Sequence, residues 1–299
     1  MNPVSAYKFL PPELADRLRG LTLSVRKPVE GALQGLHRSP HHGASVEFAD
    51  YREYTRGDPP NLIDWPVYAR SDRYVIRRYQ EETNLCACIL LDTSESMAFR
   101  GGGARSKIDY GCFLAAGLMY VLVNQSDAAG LTLFNEEIRQ SLPPARSLEG
   151  LRPLLLALEG IKASGRSRID RALHQIAEQI QRRSLVVLIS DLLQDPVDLV
   201  KGLQHLRHNK HEILVLQPLD PAEMSLDFMG LAELRELETG ARLVVQADEL
   251  REAYAQEVQK FLEEIRRGCL DSLAEYHLLD TRQPVEEVLH RQLHRAKGG

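Results

Sequence analysis

"LLDTSESM", residues 90–97, closes an apolar run with Asp92 and follows it with Ser94 and Ser96. With the preceding "LCACI" the run is apolar on both faces, which predicts a central strand of a parallel sheet, covered from both sides. Three oxygen-bearing side chains then stand at alternate positions where the strand gives way to its loop. A helix cap, a nucleophile and three ligands of a hard metal ion are the readings open at this point.

The flanking chain repeats the pattern. "AAGLTLFN" (128–135), "SLVVLISD" (184–191) and "HEILVLQPL" (211–219) read as further strands, and "EEIRQSL" as a short return strand. Between them "SKIDYGCFLAAGLMYVLVNQ" (106–125) predicts a largely buried helix, and 148–161, 168–183 and 196–209 carry helical spacing. Strands separated by helices of this length make right-handed crossovers. The fold class is therefore α/β: a doubly wound, mostly parallel sheet over 83–217 with helices on both faces.

Downstream, "LAELRELETGARLVVQA" (231–247) predicts a β-hairpin turning at "ETGA", inserted into the α/β frame near 225–247. A long amphipathic helix (247–270), a last strand (275–281) and a final helix (284–295) follow. Residues 1–82 read as a separate N-terminal part, a Pro-started helix and a small β-rich segment, and 83–299 as the second domain. Trp65, the single tryptophan, is expected to anchor the small core, and Arg52, Asp64 and Arg70 to pair at its junction with the larger domain.

Composition narrows the function. The 299 residues are 43% hydrophobic and 26% charged, ordinary for a globular chain, and a net charge of -5 gives no footprint for a polyanion, so nucleic acid is excluded as partner. Cys86, Cys88, Cys112 and Cys269 lack the spacing of a zinc site, and His37, His41 and His42 read as a solvated loop. No window approaches the ~18 apolar residues of a membrane span, and the N-terminus lacks the pattern of a signal peptide, so a cytoplasmic protein is expected.

Ligands of open parallel sheets bind beyond the carboxyl ends of the strands. Asp92 and Asp191 each end a fully apolar run, and adjacent strands would bring both carboxylates into one crevice. "ASGRSRI" adds a hydroxyl: Gly165 permits a tight turn that presents Ser167 just ahead of a helix. The candidate set is Asp92, Ser94, Ser96, Ser167 and Asp191, two carboxylates and three hydroxyls without nitrogen or sulfur. Hard oxygen ligands select Mg²⁺, or Mn²⁺ or Ca²⁺, over zinc or copper, and neutral hydroxyls leave the ion an acceptor with an open position.

Catalytic templates fit less well. A haloacid-dehalogenase-type phosphotransferase needs a second acid two residues after the first, where Ser94 stands. A serine hydrolase needs Gly-x-Ser-x-Gly, and "DTSESM" has neither glycine. "GGGARSK" (101–107) holds Ser106 and Lys107 but not in phosphate-loop order, and reads as a flexible loop before the helix. No base stands beside Ser94 or Ser96. A binding module is expected rather than an enzyme, and the alternative is a divalent-metal-dependent hydrolase or phosphotransferase using the same oxygens.

"LLDTSESM", "GRSRI" and "VVLISD", in that order, resemble the von Willebrand factor A domain with its metal-ion-dependent adhesion site. The resemblance implies that Ser94 and Ser96 bind the metal directly, that Asp92 and Asp191 act mainly through waters, and that Ser167 stands where threonine is usual. Upstream, Glu47-Phe48, Arg52, Tyr54, Gly57-Asp58, Ile63-Asp64-Trp65 and Ala69-Arg70 resemble the segment that precedes the A-type domain in the bacterial family catalogued as domain of unknown function 58. Members of that family are similar in being companions of MoxR-type AAA+ ATPases. The resemblance thus implies an adaptor for assembly or activation of other proteins, which meets the ATPase or its client through an acidic residue.

Overall fold

Alternate side chains of the apolar runs point to opposite faces of one sheet, and that sheet organises the molecule. The computed structural model describes residues 7–23, 46–55, 58, 63–81, 85–101, 103–225 and 230–295. In chain order these form α1 (Pro12–Leu18), β1 (Val46–Glu53), α2 (Trp65–Ser71), β2 (Val75–Glu81), β3 (Cys86–Asp92), α3 (Lys107–Asn124), β4 (Ala128–Phe134), β5 (Ile138–Ala145), α4 (Leu148–Glu159) and α5 (Ile169–Gln179). There follow β6 (Leu185–Ile189), α6 (Pro196–His208), β7 (Glu212–Leu219), α7 (Pro221–Met224), β8 (Leu231–Arg235), β9 (Arg242–Gln246), α8 (Ala247–Asp271), β10 (Glu275–Asp280) and α9 (Val285–Arg295).

The central sheet has the order β10-β7-β6-β3-β4-β5, parallel except for β5. Ala87, Ile89 and Leu91 of β3 join Val187 and Ile189 of β6 in a core under α1, α3, α4 and α9. Leu90 joins Val186 and Leu188 in a second core with α5, α6 and α8. Each fully buried aliphatic side chain contributes about 1.5–3 kcal/mol, so two such layers explain why β3 and β6 carry no polar residue until their ends. The doubly wound fold is as the sequence predicts, and the β8–β9 hairpin stands between α7 and α8, where "ETGA" placed its turn.

The chain divides into two compact units, 28–84 and the remainder, so α1 belongs to the larger one. This corrects the division at residue 82. The cause lies in α3, which is buried on nearly every side and needs cover on the face turned from the sheet. α1 and α9 supply it. A Cβ on Gly117 of α3 would meet Leu289 Cδ1 at 2.6 Å and Leu18 Cδ1 at 3.1 Å, so the three helices close up at a position without a side chain.

Within the smaller unit β1 and β2 pair antiparallel, and Ile63 bridges to Ile76. Ile63, Val75 and Ile76 are buried, whereas Trp65 is 54% exposed at the first turn of α2, a helix that buries none of its residues. Trp65 therefore does not anchor this core; it lies edge-on to Tyr68, which stacks on Tyr74 with ring centroids 4.4 Å apart. Arg52 finds its partner inside the unit, donating two 2.7 Å hydrogen bonds to Asp58, and Asp64 caps α2 by accepting from the Val67 N–H. Gly57, His37, His41, His42 and the side chains of Glu47 and Phe48 lie outside the described residues.

Candidate metal-ion site at the carboxyl end of the sheet

β3 and β6 are neighbours, with Leu91 opposite Ile189, so the residues that follow them meet at the strand ends. The crossover after β3 packs α3 on one face and that after β6 packs α6 on the other, which makes this the switch point of the sheet. Asp92 is completely buried there. Its Oδ1 accepts from the Ser94 N–H at 2.9 Å, and its Oδ2 accepts from the hydroxyls of Ser167 and Ser190, each at 2.7 Å. Ser94 Oγ lies 3.1 Å from Ser96 Oγ.

Backbone bonds between loops bring Ser167 to this point. The Ser164 N–H donates to the Thr93 carbonyl and the Glu95 N–H to the Gly165 carbonyl, both at 2.9 Å. Asn135, just past β4, donates its side-chain N–H to the Ser164 carbonyl at 2.8 Å and accepts from the Arg168 N–H at 2.9 Å. Gly165 has φ +74°, and a Cβ there would stand 3.1 Å from Asn135 Nδ2. Backbone conformation and close approach both call for glycine.

Asp191 enters the same cleft in different company. Lys107, the first residue of α3, is fully buried and donates through Nζ to Asp191 Oδ2 at 2.7 Å and to Glu223 Oε1 at 2.5 Å. Burial presses the Lys107 pKa down, but the two carboxylates outweigh it and hold it above its ordinary value. Glu223 belongs to a capping box with Asp220 at the start of α7. Asp220 Oδ2 also accepts from the N–H groups of Gly101 and Gly103, at 3.0 and 3.1 Å. The "GGGARSK" loop is thus fastened to the end of β7, a correction to its reading as a free connection.

Charge balance decides what the cluster can hold. Burial first, and then repulsion by Asp191, push Asp92 up to about 6, against the hydrogen bonds from Ser167, Ser94 and Ser190. Among the described residues every group that bonds Asp92 is neutral. Glu238, between β8 and β9, also reaches the cluster: its Oε1 accepts from the Ser167 N–H at 3.3 Å. Burial raises its pKa as well, against the nearby Ser96 side chain, which lowers it. Asp92 and Asp191, both buried, thus share one cluster with the half-buried Glu223 and Glu238. Among the described residues Lys107 pairs only Asp191 and Glu223, which leaves an excess of negative charge that a cation would relieve. Among the described residues no three His, Cys, Asp or Glu side chains are placed to hold a metal. Any ion here would depend on the serine hydroxyls, as the hard-oxygen donor set implies.

The structure brings Asp92, Ser94, Ser96 and Ser167 into direct contact and sets Asp191 beside them, paired to Lys107. Lys107, Ser190, Glu223 and Glu238 escape a reading of the sequence. Signals existed for three of them. Lys107 is the single basic residue of a helix otherwise rich in apolar residues, Ser190 adjoins a strand-ending acid, and "DPAE" after β7 is a capping-box pattern. Nothing local marks Glu238, a glutamate in a hairpin turn.

Sheet order, helices on both faces and a Ser-rich acidic site at the switch point define a doubly wound α/β protein with an oxygen-lined cleft at the carboxyl end of its sheet. The chain belongs to the family described as "Protein of unknown function DUF58", whose model matches residues 50–263. It is 26% identical over 232 residues to protein Rv1480 of Mycobacterium tuberculosis, covering 77% of this chain and 72% of that one. Among solved structures it is similar to BatB from Bacteroides thetaiotaomicron, with 15% identity, TM-score 0.47 and coverage of 72% of this chain and 100% of that one. It is also similar to the SpRpn10 VWA domain, with 15% identity, TM-score 0.40 and coverage of 70% and 95%. No helix among the described residues is long and apolar enough to cross a membrane.

Proposed function

We propose that this chain is a protein-interaction module whose carboxyl-end cluster binds Mg²⁺, or Mn²⁺ or Ca²⁺ in its place, and through it an acidic residue of a partner. The observation that carries this is Asp92: a buried carboxylate bonded, among the described residues, only by neutral donors and facing a second acid. Ser94 and Ser96 would hold the ion directly, with Ser167, Asp92 and Asp191 around it. Their Oγ–Oγ separation of 3.1 Å is close to the edge of about 3.0 Å of an octahedron with metal–oxygen distances of about 2.1 Å. A bound cation would supply an electrophilic position for a carboxylate. Lys107 takes part of the Asp191 charge, which keeps the site from being overfilled with negative ligands.

Binding is favoured over catalysis because the hydroxyls of Ser94 and Ser96 bond each other, and among the described residues no histidine or lysine is hydrogen-bonded to either to take a proton. The proposed partner is a MoxR-type AAA+ ATPase or its client, and the proposed setting is cytoplasmic, where such a partner has ATP. Pull-downs from the native host, with untreated protein, EDTA-treated protein and the Asp92→Ala/Ser94→Ala variant, test this. An AAA+ ATPase or its client retained only by the untreated protein supports the proposal. The same proteins recovered in all three overturn it.

A further inference from the structure

The β8–β9 hairpin is built unlike the rest of the larger unit. Leu231, Leu243 and Val244 are exposed, at 76%, 62% and 59%, and of its ten strand residues only Val245 is buried. Its strands are satisfied by each other along the whole register from Leu231–Gln246 to Arg235–Arg242. At its base the Ala247 N–H donates to the Gly230 carbonyl at 2.9 Å and the Gly230 N–H to Asp248 Oδ2 at 2.7 Å. Gly230, with φ +69°, has no atom within 4 Å of where a Cβ would stand. The hairpin is thus a self-contained two-stranded arm, joined at a glycine and lacking a packed face of its own.

At its far end, Glu238 ties the turn to the cluster. Its Oε1 accepts from the N–H of Ser167, one of the residues assigned to the ion, at 3.3 Å, and Ser96, another, lies close enough to lower its pKa against the effect of burial. The turn is closed behind it by the Gly240 N–H to the Glu236 carbonyl and the Glu236 N–H to the Ala241 carbonyl, both 2.9 Å, with Gly240 at φ +73°. A carboxylate on the hydroxyl side of this cluster is chemically what a partner's acid would be.

We propose that Glu238 is a carboxylate supplied by the chain itself, which occupies the partner's place at the site, so that an acidic partner gains the site only as the β8–β9 arm swings away. This rests on the metal-dependent function proposed above and adds its regulation. A single 3.3 Å hydrogen bond from Ser167 to Glu238 among the described residues holds the tip, so displacing it is cheap, while breaking the internal ladder is not required. A protein whose competent state is populated to a fraction f binds with an affinity reduced by f. Removing Glu238 removes that reduction. The arm's exposed leucines and valine would be free to join the partner's surface once it has moved.

The test uses the full chain, its Glu238→Gln and Glu238→Ala variants, Mg²⁺, and the capped tripeptide acetyl-Gly-Glu-Gly-amide as probe. Calorimetry with Mg²⁺ alone comes first. With Mg²⁺ saturating, both variants are expected to bind the peptide at least about tenfold more tightly than the wild type. Hydrogen exchange is expected to show the amides of 231–246 protected by Mg²⁺ in the wild type, deprotected by added peptide, and unprotected by Mg²⁺ in both variants. Mg²⁺ binding to all three proteins with equal peptide affinities, or no peptide binding at all, overturns the role of Glu238 and leaves the ion site standing. Absence of Mg²⁺ binding by the wild type overturns the site itself, and the inference with it.

Discussion

Two acid–base pairs in this molecule have similar geometry and opposite surroundings. In the smaller unit Arg52 and Asp58 form a two-pronged pair at 2.7 Å, with the guanidinium over a third exposed. At the end of the central sheet Lys107 meets Asp191 at 2.7 Å with both side chains shut from solvent, and Glu223 completes the group. Distance alone would rank them equal. Burial separates them: water already solvates the first pair, whereas each member of the second is hospitable only while its partner is present. The proposed ion site lies beside the second pair, where Asp92 is buried with only neutral donors bonded to it among the described residues.

Breaking each pair gives the sharpest contrast. Lys107→Met keeps the length and apolar stem of the side chain but leaves Asp191 and Glu223 without their cation. It is expected to cost about 3–5 kcal/mol in urea unfolding. A loss below about 1 kcal/mol would mean that the buried pair is worth no more than a surface one.

Gly165→Ala comes next, since it disturbs the site without touching a charge. A φ of +74° costs an L-residue about 1–2 kcal/mol, and the added methyl would crowd Asn135. Reduced stability of that size should accompany weaker Mg²⁺ binding, because the same turn delivers Ser167. Unchanged Mg²⁺ affinity at reduced stability would remove Ser167 from the ligand set.

Arg52→Ala is expected to be the mildest and to show its origin through pH. The bidentate hydrogen bond from Arg52 holds the Asp58 carboxyl well below the usual carboxylate range, with the Thr55 N–H assisting. A depressed carboxylate contributes stability that is present above its unfolded value, about 3.9, and is lost as pH falls toward its folded one. The difference in melting temperature between wild type and Arg52→Ala should therefore be seen at pH 7 and shrink below about pH 4. A difference that grows on acidification would contradict the pairing.

The two regions also differ in how much of each could be read from the chain. β3 and β6 announce themselves because a strand buried on both faces tolerates no polar residue, so the first acid after each run marks its end and its cleft. Ser94, Ser96 and Ser167 follow from local spacing around those ends. Lys107 does not, since a lysine in a glycine-rich loop looks solvated until α3 is seen to start there and turn it inward. Glu238 approaches Ser96 and Ser167 across more than seventy residues of chain, a contact set by where the arm rests and not by any local pattern. The place of α1 is not legible, because a seven-residue amphipathic helix does not specify which surface covers it. Residue type alone puts Trp65 in a core, whereas its position at the open start of α2 leaves it at the surface.

The central claim is that Asp92 is buried in order to work with a cation. Titrating the purified protein with Mg²⁺ in a calorimeter, beside the isosteric Asp92→Asn variant, tests it most directly. The account predicts a single weak site in the wild type, at least about tenfold weaker in the variant, with both proteins folded by circular dichroism. Equal Mg²⁺ binding by the two, or none by the wild type, would contradict it.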